Sequence, residues 1–115
     1  MPKPSDIMLI EFPYSHLSGG KRRPALVLSE PSRYGDILAL AITSKPQHDH
    51  SFALTHADLI IGTLAKPSWV RYDQLHTFDK ILIQGHIATL SSEAFSNVRE
   101  HVCAYLGCHY GLRIS

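Results

Sequence analysis

The chain has 115 residues, enough for one domain with a core that needs no staples. Its 44% hydrophobic and 18% charged content is that of a soluble globular chain, and a formal net charge of +1 excludes a polycation that binds nucleic acid by bulk charge. Cys103 and Cys108 are its only cysteines, and without a secretory signal their spacing does not point to a disulfide framework.

The N-terminal apolar run is too short for a signal core or a membrane span, so a cytoplasmic location is expected. A first strand is predicted over Ile7 to Phe12, bounded by Pro4 and Pro13. It is apolar on both faces apart from Glu11, so both faces should be covered. A turn-rich loop, Pro13 to Gly20, carries His16 and leads into Lys21-Arg22-Arg23-Pro24. Pro24 disfavours the helical region for Arg23, which should stand extended at the mouth of a second strand, roughly Arg23 to Ser29. A guanidinium held there is a positioned anion receptor.

A third strand is predicted over Asp36 to Thr43, with Ile37, Ala39, Ala41 and Thr43 on one face and Leu38, Leu40 and Ile42 on the other. It ends in two hydroxyls, Thr43 and Ser44, before a polar loop from Lys45 to His50. Ser51 to Thr55 reads as a short strand, and His56 to Ile61 fits a turn or a strand. Ser68 to Tyr72 reads as another strand, entered through Lys66-Pro67. Asp79 to Ile83 reads as a short helix or turn, and Gly85 to Leu90 as a last strand. A helix follows from Ser92 to Leu106, with Ser91 as N-cap, Phe95, Val98, Val102 and Leu106 as its apolar stripe, and Gly107 as its stop. Short strands followed by one amphipathic helix predict a mostly β, α+β architecture: a small β-barrel with a C-terminal helix laid across it.

An arginine where one strand starts and a threonine where the next ends can meet at one rim of such a barrel. That pairing suits a phosphodiester substrate. The guanidinium offers bidentate donors to phosphate oxygens, and the hydroxyl adds another hydrogen bond. Arginine is a poor general base near neutrality, so His16 is the local candidate for moving a proton. The same residues also fit a solvated turn and an ordinary strand end.

Two histidine groupings invite a metal: His48, Asp49, His50 and His56, and His101, Cys103, Cys108 and His109. Neither has a recognised ligand spacing, so no metal is expected. Trp69 and Tyr72 flank Arg71, an arrangement that fits a stacking platform for bases and equally a Trp69 packed in the core or an interface.

The order of Gly19 to Ser29, Ala41-Ile42-Thr43-Ser44, Lys66 to Arg71, Thr77 to Lys80 and Gly85 to Ser91 resembles the MazF/PemK-like toxins of type II toxin–antitoxin modules, over nearly the whole chain. The resemblance implies one toxin domain over residues 1–115, an SH3-like barrel with a C-terminal helix, and a homodimer. It also implies a sequence-selective endoribonuclease (an mRNA interferase) that cuts single-stranded RNA without metal or cofactor, leaving a cyclic 2′,3′-phosphate and a 5′-hydroxyl. The family's arginine before proline falls on Arg23 and its threonine on Thr43. Lys21, Arg22, Ser44, Lys45 and Arg71 are the expected RNA contacts, and a cognate antitoxin is the expected protein partner.

The family often has Arg-Gly-Asp where this chain has Pro4-Ser5-Asp6. Two other readings stand beside the ribonuclease. One is a non-catalytic RNA- or protein-binding barrel. The other is a gyrase poison like CcdB, whose Trp-Gly-Ile tail this chain lacks.

Overall fold

The computed structural model describes residues 2–12, 21–46 and 49–108. Seven strands form one curled sheet: β1 (Asp6–Phe12), β2 (Lys21–Val27), β3 (Ile37–Thr43), β4 (Ser51–Leu54), β5 (Leu59–Gly62), β6 (Ser68–Phe78) and β7 (Ile83–Leu90). Their order across the sheet is β4-β6-β3-β2-β1-β7-β5, every pairing is antiparallel, and β4 and β5 are its two edges. The expected barrel is therefore a half-barrel.

The stretch left open between turn and strand is both: a 3-10 turn at His56–Asp58 followed by β5. The reading of Asp79 to Ile83 resolves to a 3-10 turn at Lys80–Leu82, capped by the Asp79 carboxylate accepting from the Ile81 N–H. Strand β5 can press closely on β7 because Gly62 adopts φ +78°. A Cβ there would collide with the Ile87 carbonyl oxygen.

The helix α1 (Ser92–Leu106) has the predicted bounds. The Ser91 hydroxyl accepts from the Ala94 N–H at 3.1 Å. Gly107 closes the helix with φ +77°. Ala94, Phe95, Val98 and Val102 are buried, but Leu106 is 59% exposed, so the apolar seam stops one turn earlier than the sequence suggests. Each fully buried aliphatic or aromatic side chain in that seam stabilises by roughly 1.5–3 kcal/mol.

Both faces of the sheet are covered, as the two-sided apolar pattern of β1 requires. One cluster joins Ile7, Leu26, Leu40, Val70 and Leu90 to the helix seam. The other, on the opposite face, packs Met8, Ile10, Val27, Ile37 and Phe78 around the small residues Ala25 and Ala39.

Several strand boundaries differ from expectation: β2 ends at Val27 rather than Ser29, and β7 begins at Ile83 rather than Gly85. Strand β2 begins at Lys21, because its pairing with β1 continues to Phe12↔Lys21. Its ladder with β3 stops at Ala25↔Ala41, next to Pro24, which has no N–H to donate. Strand β6 runs on past Tyr72 to Phe78. Its register with β3 jumps from Ile42↔Val70 to Leu40↔Leu75, so residues 71–74 stand opposite Ala41 alone. That bulge reverses which side chains face the second cluster.

Candidate RNA-binding cleft

Where β2 and β3 part, a cleft of about 970 Å³ opens. Its position follows from the register. Ala25 stands opposite Ala41, and two residues outward on the same face lie Arg23 on β2 and Thr43 on β3. Both line the cleft, with the small Ala41 between them and the bulge of β6. The Thr43 hydroxyl oxygen accepts from the Lys45 N–H at 3.1 Å, which leaves its own proton to donate into the cleft.

Every RNA contact expected from the sequence falls on this one cleft: Lys21, Arg22, Ser44, Lys45 and Arg71. Lys66 joins them. No carboxylate is among the described lining residues. A chain with a net charge of only +1 thus concentrates its cations on one surface, the pattern that focuses a polyanion.

Arg71 is itself fixed. Its Nε and Nη2 donate to the two carboxylate oxygens of Asp73 at 3.1 and 2.9 Å, two residues along the same bulge. Burial pushes the Asp73 carboxyl up. The Arg71 hydrogen bonds and charge outweigh that, helped by a backbone hydrogen bond and by His50, and hold it below its ordinary value.

The bulge adds two residues that sequence reasoning missed. Gln74 and His76 line the cleft, because the face reversal turns them to the face of Ala39 rather than toward the helix. His76 Nε2 lies 3.3 Å from Gln74 Oε1, and its ring meets Phe12 edge-on with centroids 5.9 Å apart. The signal was Gln74-Leu75-His76-Thr77-Phe78, an alternating strand pattern hidden behind Arg71-Tyr72-Asp73.

Other expectations resolve differently. His16 lies outside the described residues, between the cleft residues Phe12 and Lys21 in sequence. Of the stacking platform, Trp69 stands half-buried opposite Thr43, while Tyr72 leaves it. Arg71 faces the cleft, Trp69 is not among its lining residues, and Tyr72 turns to the helix side, beside His50, His101 and Tyr105. The histidine groupings do not gather into a metal site among the described residues, and His48 and His109 lie outside them.

Ser5 has φ +79°, the left-handed region. Its N–H donates to Val27 O at 3.0 Å and its carbonyl accepts from Leu90 N at 2.9 Å, which pins that conformation between β2 and β7. This is the physical reason a glycine suits the position.

A curled antiparallel half-barrel, one C-terminal helix and a cation-lined cleft define the class as a small β protein with an electropositive groove. The family described as PemK-like, MazF-like toxin of type II toxin-antitoxin system matches residues 3–106, and the chain belongs to it. Members of this family are endoribonuclease toxins.

Among solved structures, MazF from Deinococcus radiodurans is 25% identical, with a TM-score of 0.71 over 92% of this chain and 96% of that one. An endoribonuclease from a mycobacterial species has a TM-score of 0.73 at 13% identity, over 95% of this chain and 94% of that one. The Mycobacterium tuberculosis toxin MazF-mt6 has a TM-score of 0.70 at 17% identity, over 91% and 99%. No curated protein matches the chain. No helix among the described residues is long and apolar enough to cross a membrane.

Proposed function

We propose that this toxin is an endoribonuclease of the mRNA interferase type, which cuts single-stranded RNA in the cleft between β2 and β3. The observation that carries the reading is the placement of Arg23 and Thr43 on one face of adjacent strands, in a cleft lined by cations. The 2′-hydroxyl of the nucleotide before the cut attacks the adjacent phosphorus. The 5′-oxygen leaves, giving a cyclic 2′,3′-phosphate and a 5′-hydroxyl.

Negative charge builds on the non-bridging oxygens as this happens. The Arg23 fork takes two of them, and the Thr43 hydroxyl donates to one, a preorganised electrostatic term. Lys21, Arg22, Lys45, Lys66 and Arg71 hold flanking phosphates, and Ser44 adds a hydroxyl. None of these groups is suited to exchanging a proton at neutral pH. His76 in the cleft, or His16 from the preceding segment, supplies the side chain type that is.

No metal or cofactor takes part in this scheme. The protein acts in the cytoplasm as a homodimer, held silent by a cognate antitoxin whose acidic segment occupies the cationic cleft. The matched structures include an endoribonuclease in complex with its cognate antitoxin from a mycobacterial species, and MazE-MazF from Deinococcus radiodurans, which supports an antitoxin partner.

The test is chemical. An RNA carrying a single 2′-deoxy nucleotide before a mapped cut should resist cleavage there and be cut normally elsewhere. Cleavage at the deoxy position would rule out 2′-hydroxyl attack.

A further inference from the structure

The end of α1 carries a feature that RNA cleavage does not use. Cys108 donates its backbone N–H to the Cys103 carbonyl at 2.8 Å, and Gly107 donates to Ala104 O at 3.2 Å. With Gly107 at φ +77°, these two bonds form a Schellman closure, in which the residues at the Cys103 and Cys108 positions normally meet side chain to side chain. Here both side chains are thiols. Cys108 is exposed and Cys103 half-buried. Disulfide formation requires close Cα atoms and converging Cβ vectors, and this closure brings the two residues together before any oxidation.

We propose that Cys103 and Cys108 are a preorganised redox pair, oxidised reversibly by low-molecular-weight disulfides to an intrachain disulfide across the end of α1. The exposed Cys108 thiolate attacks one sulfur of oxidised glutathione and expels a first glutathione thiolate, leaving a mixed disulfide. The Cys103 thiolate then attacks Cys108 Sγ and expels the second. Two protein thiols are oxidised, one glutathione disulfide is reduced to two thiols, and the two protons pass to the leaving thiolates.

The hydrogen bond to Cys103, desolvation and the neighbouring charge push the Cys108 thiol up, and the negative end of the helix dipole acts in the same direction. The reduced pair therefore gains no thiolate stabilisation, the feature that makes some disulfides easy to reduce. The bridge would fasten the last turn of α1, which carries Tyr105 against His50 and Tyr72 with ring centroids 4.7 and 6.0 Å apart.

The full chain is equilibrated in glutathione buffers of graded oxidation at mildly alkaline pH, with and without urea at unfolding concentration. It is then quenched in acid and read by intact mass and peptide mapping. The expected result is an intrachain Cys103–Cys108 disulfide whose equilibrium constant is on the order of tenfold higher folded than unfolded, about 30 mV for a two-electron couple. Cys108→Ser and Cys103→Ser should each give only a glutathione adduct on the remaining thiol. Equal constants in the two states would overturn the proposal, because the short loop would then be closing without help from the fold. Only adducts or intermolecular bridges in the native chain would overturn it as well.

Discussion

Arg71 grips Asp73 through two parallel hydrogen bonds, at 3.1 and 2.9 Å, inside the bulge where β6 changes face. The pair holds one cation of the cleft at a fixed angle. With side chains 24% and 16% exposed, it is only partly screened. Asp73→Asn should lower stability by about 1–2 kcal/mol at pH 7 and weaken RNA binding. The folded-state pKa of Asp73 is depressed, so its contribution is fully present above the unfolded value and is lost as pH falls through the folded one. Urea unfolding of both proteins should show a deficit at pH 7 that shrinks below about pH 4. A deficit that does not change with pH would contradict the ion-pair assignment.

Thr43→Ala should slow cleavage by about tenfold or more with the fold intact, since it removes a donor to the phosphoryl oxygens. Thr43→Ser keeps the hydroxyl and should retain most activity. Single-turnover rates on one short RNA separate the two. Equal loss in both variants would assign Thr43 to packing instead.

RNA binding should weaken steeply with salt. For a single strand, each neutralised phosphate contributes a slope of about −0.7 in log K against log salt. Lys66→Ala, measured by anisotropy with a non-cleavable 2′-deoxy analogue, should reduce the slope by about that amount. An unchanged slope would place Lys66 off the RNA path.

Ser5→Gly should stabilise the protein by up to about 1 kcal/mol, because relief of the left-handed strain exceeds the entropy glycine adds to the unfolded chain. Ser5→Val should destabilise it by at least as much. Thermal melts of the two variants should move in opposite directions. A shift in the same direction would mean that contacts of the serine side chain decide the effect.

Local chemistry made much of this legible in the sequence. The helix was readable to both ends because Ser91 and Gly107 are strong caps and Phe95, Val98 and Val102 keep helical spacing. Arg23 and Thr43 could be paired because Pro24 marks where β2 parts from β3 and Ser44 follows the end of β3. The second half of β6 was hidden, since a bulge is a property of two strands together and the polar run Arg71 to Gln74 looks like a strand end from one sequence alone. His76 is hidden for the same reason, and Leu106 reads as a core position because helical periodicity does not say where the sheet beneath the helix ends.

The central claim rests on Arg23, and the direct measurement is cleavage of a long single-stranded RNA by the purified protein and its Arg23→Ala variant in excess chelator, with fragment 5′ ends mapped. The account predicts discrete cuts bearing 5′-hydroxyls in the wild type and none in the variant, with matching thermal melts. Cuts of equal rate in the variant would contradict the proposed site. RNA left intact by the folded wild type would contradict the ribonuclease reading and turn attention to a binding module or a gyrase poison.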